Sequence, residues 1–189
     1  MMFLKIQKYS ICVVLSLLAT TAIRAQMVAV NTDIAGDALL VPNLGVEMVV
    51  GEQSTIGLHA FFTRNPYWAK AKMVGVQPEW RYYPSRRHMH SLFFGIGALG
   101  TIYDIQWKGK VYDGHAAGAG VTFGYVWKLG NRFNLDLHAG LGLVFYKQKE
   151  YFDGDDYDEY MVGGEIRANA SGYYLMPTRI GLSIAYILK

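Results

Sequence analysis

From Asn131 to Tyr146, apolar and polar residues take turns along the chain. Phe133, Leu135, Leu137, Ala139, Leu141, Leu143 and Phe145 share one face of an extended strand; Asn134, Asp136, His138, Gly140 and Gly142 share the other, because successive side chains point to opposite sides of a strand. The run is longer than the roughly 5–6 residues of an ordinary strand and suits one tilted through a hydrocarbon layer. The same contrast recurs, and it predicts eight extended segments at residues 28–35, 43–50, 55–63, 73–83, 92–105, 116–128, 131–146 and 173–188. Pro78 has no amide proton to give to a ladder, so a bulge is expected there.

Connection lengths alternate as well. The links at 51–54, 84–90 and 129–131 are short, and those at 64–72, 106–115 and 147–172 are longer. Short periplasmic turns, long extracellular loops and an even strand number characterise outer-membrane barrels. The expected fold is therefore all-β: an eight-stranded antiparallel up-and-down transmembrane β-barrel with both termini in the periplasm. A soluble lipocalin-like barrel is the main competitor, since it alternates over a similar number of strands. Its polar face would meet water, whereas here that face is rich in glycine and poor in charge. Trp80, Tyr82, Tyr125, Trp127, Phe133 and Tyr186 cluster near the expected periplasmic strand ends, as an aromatic girdle would.

The N-terminus changes how the charge is read. Lys5 and Lys8 precede an apolar run over 11–18, and Ala22-Ile23-Arg24-Ala25 offers a small residue before Gln26, the pattern of a cleaved secretory signal peptide. The apolar run is too short for a membrane anchor, which needs about 20 residues. Residues 1–25 are thus read as a signal peptide and 26–189 as the barrel domain. The chain holds 18 basic and 15 acidic residues; Lys5, Lys8 and Arg24 fall within the signal, leaving fifteen of each. A nucleic-acid partner loses its support. The single cysteine, Cys12, also lies in the signal, so disulfides, thiolate catalysis and cysteine-based zinc sites are excluded from the mature part.

Several strings carry a family resemblance: Pro42-Asn43-Leu44-Gly45-Val46-Glu47, Gln77-Pro78-Glu79-Trp80-Arg81-Tyr82-Tyr83, Gly124-Tyr125-Val126-Trp127-Lys128-Leu129-Gly130-Asn131-Arg132 and Pro177-Thr178-Arg179-Ile180-Gly181-Leu182-Ser183. In order and spacing, the chain resembles an uncharacterised domain-of-unknown-function family of small outer-membrane barrels typical of Gram-negative gut anaerobes. The resemblance implies a fold and a cell-outer-membrane location, and carries no established activity, cofactor or catalytic residue. Arg179, Gly181, Ile184 and Tyr186 look like the C-terminal strand signal read by the barrel assembly machinery, although the chain ends Ile187-Leu188-Lys189 rather than on an aromatic.

Chemistry-bearing residues fall in two places. Glu47, His59, Glu79, Arg81, Asp136 and His138 occupy the inward face at similar distances from short turns, and they are expected to form a ring of ion pairs around Arg81. With odd-numbered turns, Glu47 is expected opposite His59 and Thr122 opposite His138. Eight strands enclose a space that side chains can just fill, so this network is read as a structural plug. Outside, Tyr67 and Trp68 on one loop, with Asp153, Asp155, Asp156, Tyr157, Asp158 and Glu159 on another, form a candidate surface for an envelope or extracellular protein partner. The acidic loop lacks the ligand spacing of an EF-hand, so no metal, cofactor or catalytic residue is assigned. The expected function is a non-enzymatic envelope component or surface platform in contact with outer-membrane lipid. The alternatives are a narrow channel for small solutes or ions, and a lipid-modifying enzyme, for which Asp113 and His115 are the conspicuous acid and base.

Overall fold

The computed structural model describes residues 27–67, 70–152, 161–162, 165–166 and 170–188. The strands are β1 (Val28–Asp33), β2 (Asn43–Val49), β3 (Ser54–Arg64), β4 (Lys70–Tyr82), β5 (Ser91–Trp107), β6 (Lys110–Lys128) and β7 (Phe133–Phe152), then a short β8 (Met161–Val162) and β9 (Glu165–Ile166), and finally β10 (Ala170–Ile187). One short helix, α1 (Ile34–Ala38), follows β1. Eight strands pair antiparallel in sequence order, and β1 closes on β10, giving a closed barrel in which β8 and β9 take no part. The expected signal peptide, Trp68 and the acidic cluster at 153–159 lie outside the described residues.

Several strands run further than their alternation suggests. β6 begins at Lys110 and β7 continues to Phe152, because the hydrogen-bond ladder persists beyond the point where outward positions turn polar at Asp113, His115, Lys147 and Lys149. The loop expected at 106–115 is correspondingly absent. β5 and β6 meet in a tight turn at Lys108 and Gly109, both with positive φ of 50° and 78°, the geometry whose twist matches a two-residue hairpin. At this end of the ring the extra length is therefore carried mostly by strand, with longer links only at 34–42 and 153–169.

Two local expectations are corrected. No bulge forms at Pro78: β4 keeps one register against β5 from Val76–Gly100 to Glu79–Gly97, skipping only the bridges at 77–78, and its ladder with β3 runs through Leu58–Pro78 unbroken. The bulge lies instead on β10 between Pro177 and Arg179, where Thr178 is the extra residue. The first strand also ends earlier than expected. Asp33 stops it by capping α1, its carboxylate accepting from the amides of Ala35 and Gly36 at 2.9 and 3.1 Å.

The faces of this ring are reversed relative to a water-soluble protein. Val74, Ile96, Val121, Phe123, Leu141 and Phe145 project outward and are exposed, while Glu47, Glu79, Arg81 and Asp136 point inward and are buried. Ile96 pairs with Val121 and Val121 with Leu141, so the outer aliphatics form continuous rows around the wall. Outward aromatics pair at the short-turn end: Trp80 with Tyr82, Tyr125 with Trp127, and Phe133 with Tyr186. No helix among the described residues is long and apolar enough to cross a membrane.

Candidate functional site

The interior has three levels. At the short-turn end, the 83–90 link folds inward. Met89 is 2% exposed and packs with Ala29, Val49 and Ala185, and its carbonyl accepts from Asn134 Nδ2 at 2.6 Å. Tyr83, Phe93 and Val126 form a second apolar cluster beside it.

Above these lies the charged level. Arg81, 1% exposed, donates from Nε to Glu79 at 2.7 Å and from Nη1 to Asp136 at 2.7 Å and Glu47 at 3.3 Å, while its guanidinium carbon sits 4.2 Å from the centre of the Phe93 ring. β2, β4 and β7 thus converge on one cation. The two glutamates have further donors: Glu47 accepts from Thr55 Oγ1 at 2.6 Å and Tyr83 Oη at 3.0 Å, and Glu79 from Thr122 Oγ1 at 2.5 Å. A buried charge is tolerable only when paired and hydrogen-bonded in this way.

His59 and His138 sit at the edge of this cluster rather than on Arg81. His59 Nδ1 is 3.2 Å from Arg179 Nη2. The His138 ring nitrogens lie 3.4 Å from Asp136 and 3.6 Å from Asp33. The cross-strand partners differ from expectation by two residues: Glu47 faces Gly57, His59 faces Gly45, Thr122 faces Gly140 and His138 faces Gly124. The turns keep the inward parity, but the strands are offset by one further pair. The offset places rings opposite glycines, and a Cβ at Gly45 would collide with the His59 ring and the Asn31 carboxamide.

Arg179 and Asp33 are further members, absent from the ring expected from sequence. The bulge at Thr178 shifts the parity of β10, turning Arg179 inward to bond Glu79 from Nη1 at 2.6 Å. Asp33 enters through the α1 cap, and its carboxylate also receives the amide of Leu182 at 3.2 Å. Both had signals in the sequence: Asp33 as an acidic residue two positions before Ala35-Gly36, and Arg179 by its parity with Gly181, Ser183 and Ala185 against Ile180, Leu182, Ile184 and Tyr186.

The third level is a chamber of about 540 Å³ toward the other end, floored by Gln77 and Thr178. A smaller side pocket of about 210 Å³ adjoins it beside α1. Tyr67 is exposed on the β3–β4 link. Asp113 and His115 are alternate residues of β6, paired respectively with Lys149 and Lys147 of β7. No group of three or more His, Cys, Asp or Glu arranged for a metal ion occurs among the described residues.

The family described as Protein of unknown function (DUF3575) matches residues 11–188. The chain belongs to that family. No curated protein and no solved structure matches it. Family membership accordingly brings no activity to the interior, and what the interior does must be argued from its geometry.

Proposed function

We propose that the chain is a non-enzymatic β-barrel of the Gram-negative outer membrane with a closed interior, acting as an envelope component or a surface platform. In this reading residues 1–25 direct export and are removed, the barrel assembly machinery inserts the ring, and the short turns face the periplasm. The reversal of faces is the observation that carries it: exposed aliphatic rows around the outside, and a buried Arg81 with three carboxylates within. Lipid tails solvate such an outer surface, whereas water penalises it at about 25 cal/mol per Å² of apolar area. The paired aromatics at one end fit an interfacial girdle.

Met89, Tyr83 and Phe93 beneath the Arg81 level favour a plug over the channel reading. The enzyme reading is disfavoured at its own candidate pair, since Asp113 and His115 stand two apart on one face of β6, opposite Lys149 and Lys147 of β7. Tyr67, Trp68 and the acidic stretch at 153–159 would then be the surface presented to an envelope or extracellular partner. Expression of the full chain with cell fractionation tests the location. The protein is expected in the outer-membrane fraction, migrating faster on a denaturing gel before boiling than after. Recovery as a periplasmic protein needing no detergent would overturn the proposal.

A further inference from the structure

The chamber above the charged level has a lining unlike the rest of the interior. Phe61, Leu99, Ile105, Val144 and Met176 face it, and no residue of its lining carries a formal charge. Several of its polar groups are already engaged: Gln77 Nε2 donates to the Thr178 carbonyl at 2.6 Å, Tyr103 Oη to Gln148 at 2.7 Å, and Thr101 Oγ1 to the Val74 carbonyl at 3.0 Å. Tyr146 and Tyr174 stack with ring centres 5.2 Å apart and an interplanar angle of 6°. A charged ligand placed here would lose hydration without gaining a counter-charge. An apolar ligand would lose nothing, and a chamber of about 540 Å³ lies within the usual range for small-molecule sites.

The wall beside this chamber is incomplete. β10 pairs with β7 along nearly its whole length, but with β1 only from Ser183 to Ile187, since β1 ends at Asp33. Among the described residues, the opposite edge of β10 between Ser171 and Gly181 has no strand partner. Tyr174 and Met176 face inward yet remain 61% and 42% exposed. The side pocket at this gap has Val41 and Ile180 among its apolar lining and Asp33, His59 and Arg179 among its polar lining, and it shares Phe61, Gln77 and Thr178 with the chamber. The gap lies level with the outer aliphatic rows, because Tyr173 and Leu175 pair with Phe145 and Leu143.

We propose that this chamber binds a single acyl chain, which reaches it sideways from the bilayer through the gap between β10 and the β1–α1 corner. The chamber stands on interior geometry alone; only the bilayer as the source of the chain rests on the outer-membrane reading. The acyl chain keeps to the apolar side of this passage, past Val41, Ile180 and Phe61.

Trp107 lines the chamber, so its fluorescence reports occupancy. The full chain carrying Trp68→Phe, Trp80→Phe and Trp127→Phe, purified from membranes and held in nanodiscs, retains Trp107 as its only tryptophan. Phospholipid brominated along its acyl chain is titrated in one arm, and a brominated fatty acid is added to unbrominated discs in the other. Saturable loss of roughly half the emission is expected in the lipid arm, and it should disappear in Ala116→Phe/Val144→Phe, whose added rings fill the chamber. If that variant does not fold, as judged by gel migration before boiling, Thr101→Phe replaces it. Quenching that never saturates, or that is unchanged by filling, overturns the site. Quenching by the free acid alone overturns the bilayer as its source. Failure to incorporate into discs counts against the membrane reading instead, and the fatty-acid arm then tests the chamber on the protein in solution.

Discussion

Arg81→Met is expected to destabilise the barrel by about 3–5 kcal/mol, the usual cost of removing one partner from a buried ion pair. Three carboxylates depend on this guanidinium, at 2.7, 2.7 and 3.3 Å from Glu79, Asp136 and Glu47. After its loss Arg179 still pairs with Glu79, and among the described residues no other Arg or Lys forms an ion pair with the three carboxylates. Glu47 then keeps only the hydroxyls of Thr55 and Tyr83, and Asp136 loses the hydrogen bond it made to Arg81, both in a buried space. The effect should be read as a drop in the urea midpoint of the protein folded in lipid vesicles. Combining Arg81→Met with Glu47→Gln and Asp136→Asn should recover a substantial part of the loss, since it removes the stranded charges along with their partner. An unchanged midpoint in the single variant would show that the charged level contributes nothing to holding the ring together.

Leu141→Arg should cost about 2–4 kcal/mol in the same vesicles, and Ile96→Arg a similar amount, since both occupy the middle rows of the outer face, where a cation meets the bilayer midplane. The same substitution at Phe133, beside the girdle, should cost about 0–1 kcal/mol. This gradient separates the two readings of the outer surface. Leu141 and Ile96 are 48% and 60% exposed, and an exposed position in a water-soluble protein would tolerate arginine within about 0.5 kcal/mol wherever it lay on the strand. Depth dependence is therefore the quantity to measure, through urea midpoints at the three positions.

Alternation made the strands and their inward faces legible, because a period of two survives small errors in where a strand begins. It failed where its contrast fades. Outward Asp113, His115, Lys147 and Lys149 look like loop residues in sequence, although β6 and β7 run through them. Parity placed Glu47, Glu79, Arg81 and Asp136 on one side, but it could not fix which residues oppose one another, since a two-residue slip leaves every side chain on the same face. Pro78 and Pro177 look alike as candidates for a bulge, and only the pairing partners decide between them. Arg179 falls inward when alternation is counted back from Tyr186 and outward when it is counted on from Tyr173, and the bulge at Thr178 decides for the former. The apolar chamber was hidden for a related reason. Its walls come from β3, β4, β5, β6, β7 and β10 together, and no single strand displays it.

The direct test of which medium the aliphatic rows face is spin-label accessibility at Ile96→Cys, Val121→Cys and Leu141→Cys, with Lys147→Cys at the rim as the reference. Cys12 is the only native cysteine, and with it replaced by serine each label reports one place. In vesicles, labels at 96, 121 and 141 are expected to collide readily with dissolved oxygen and scarcely with a water-soluble nickel chelate, the reverse of the label at 147. Free access of the chelate to all four positions would contradict a lipid-facing outer surface.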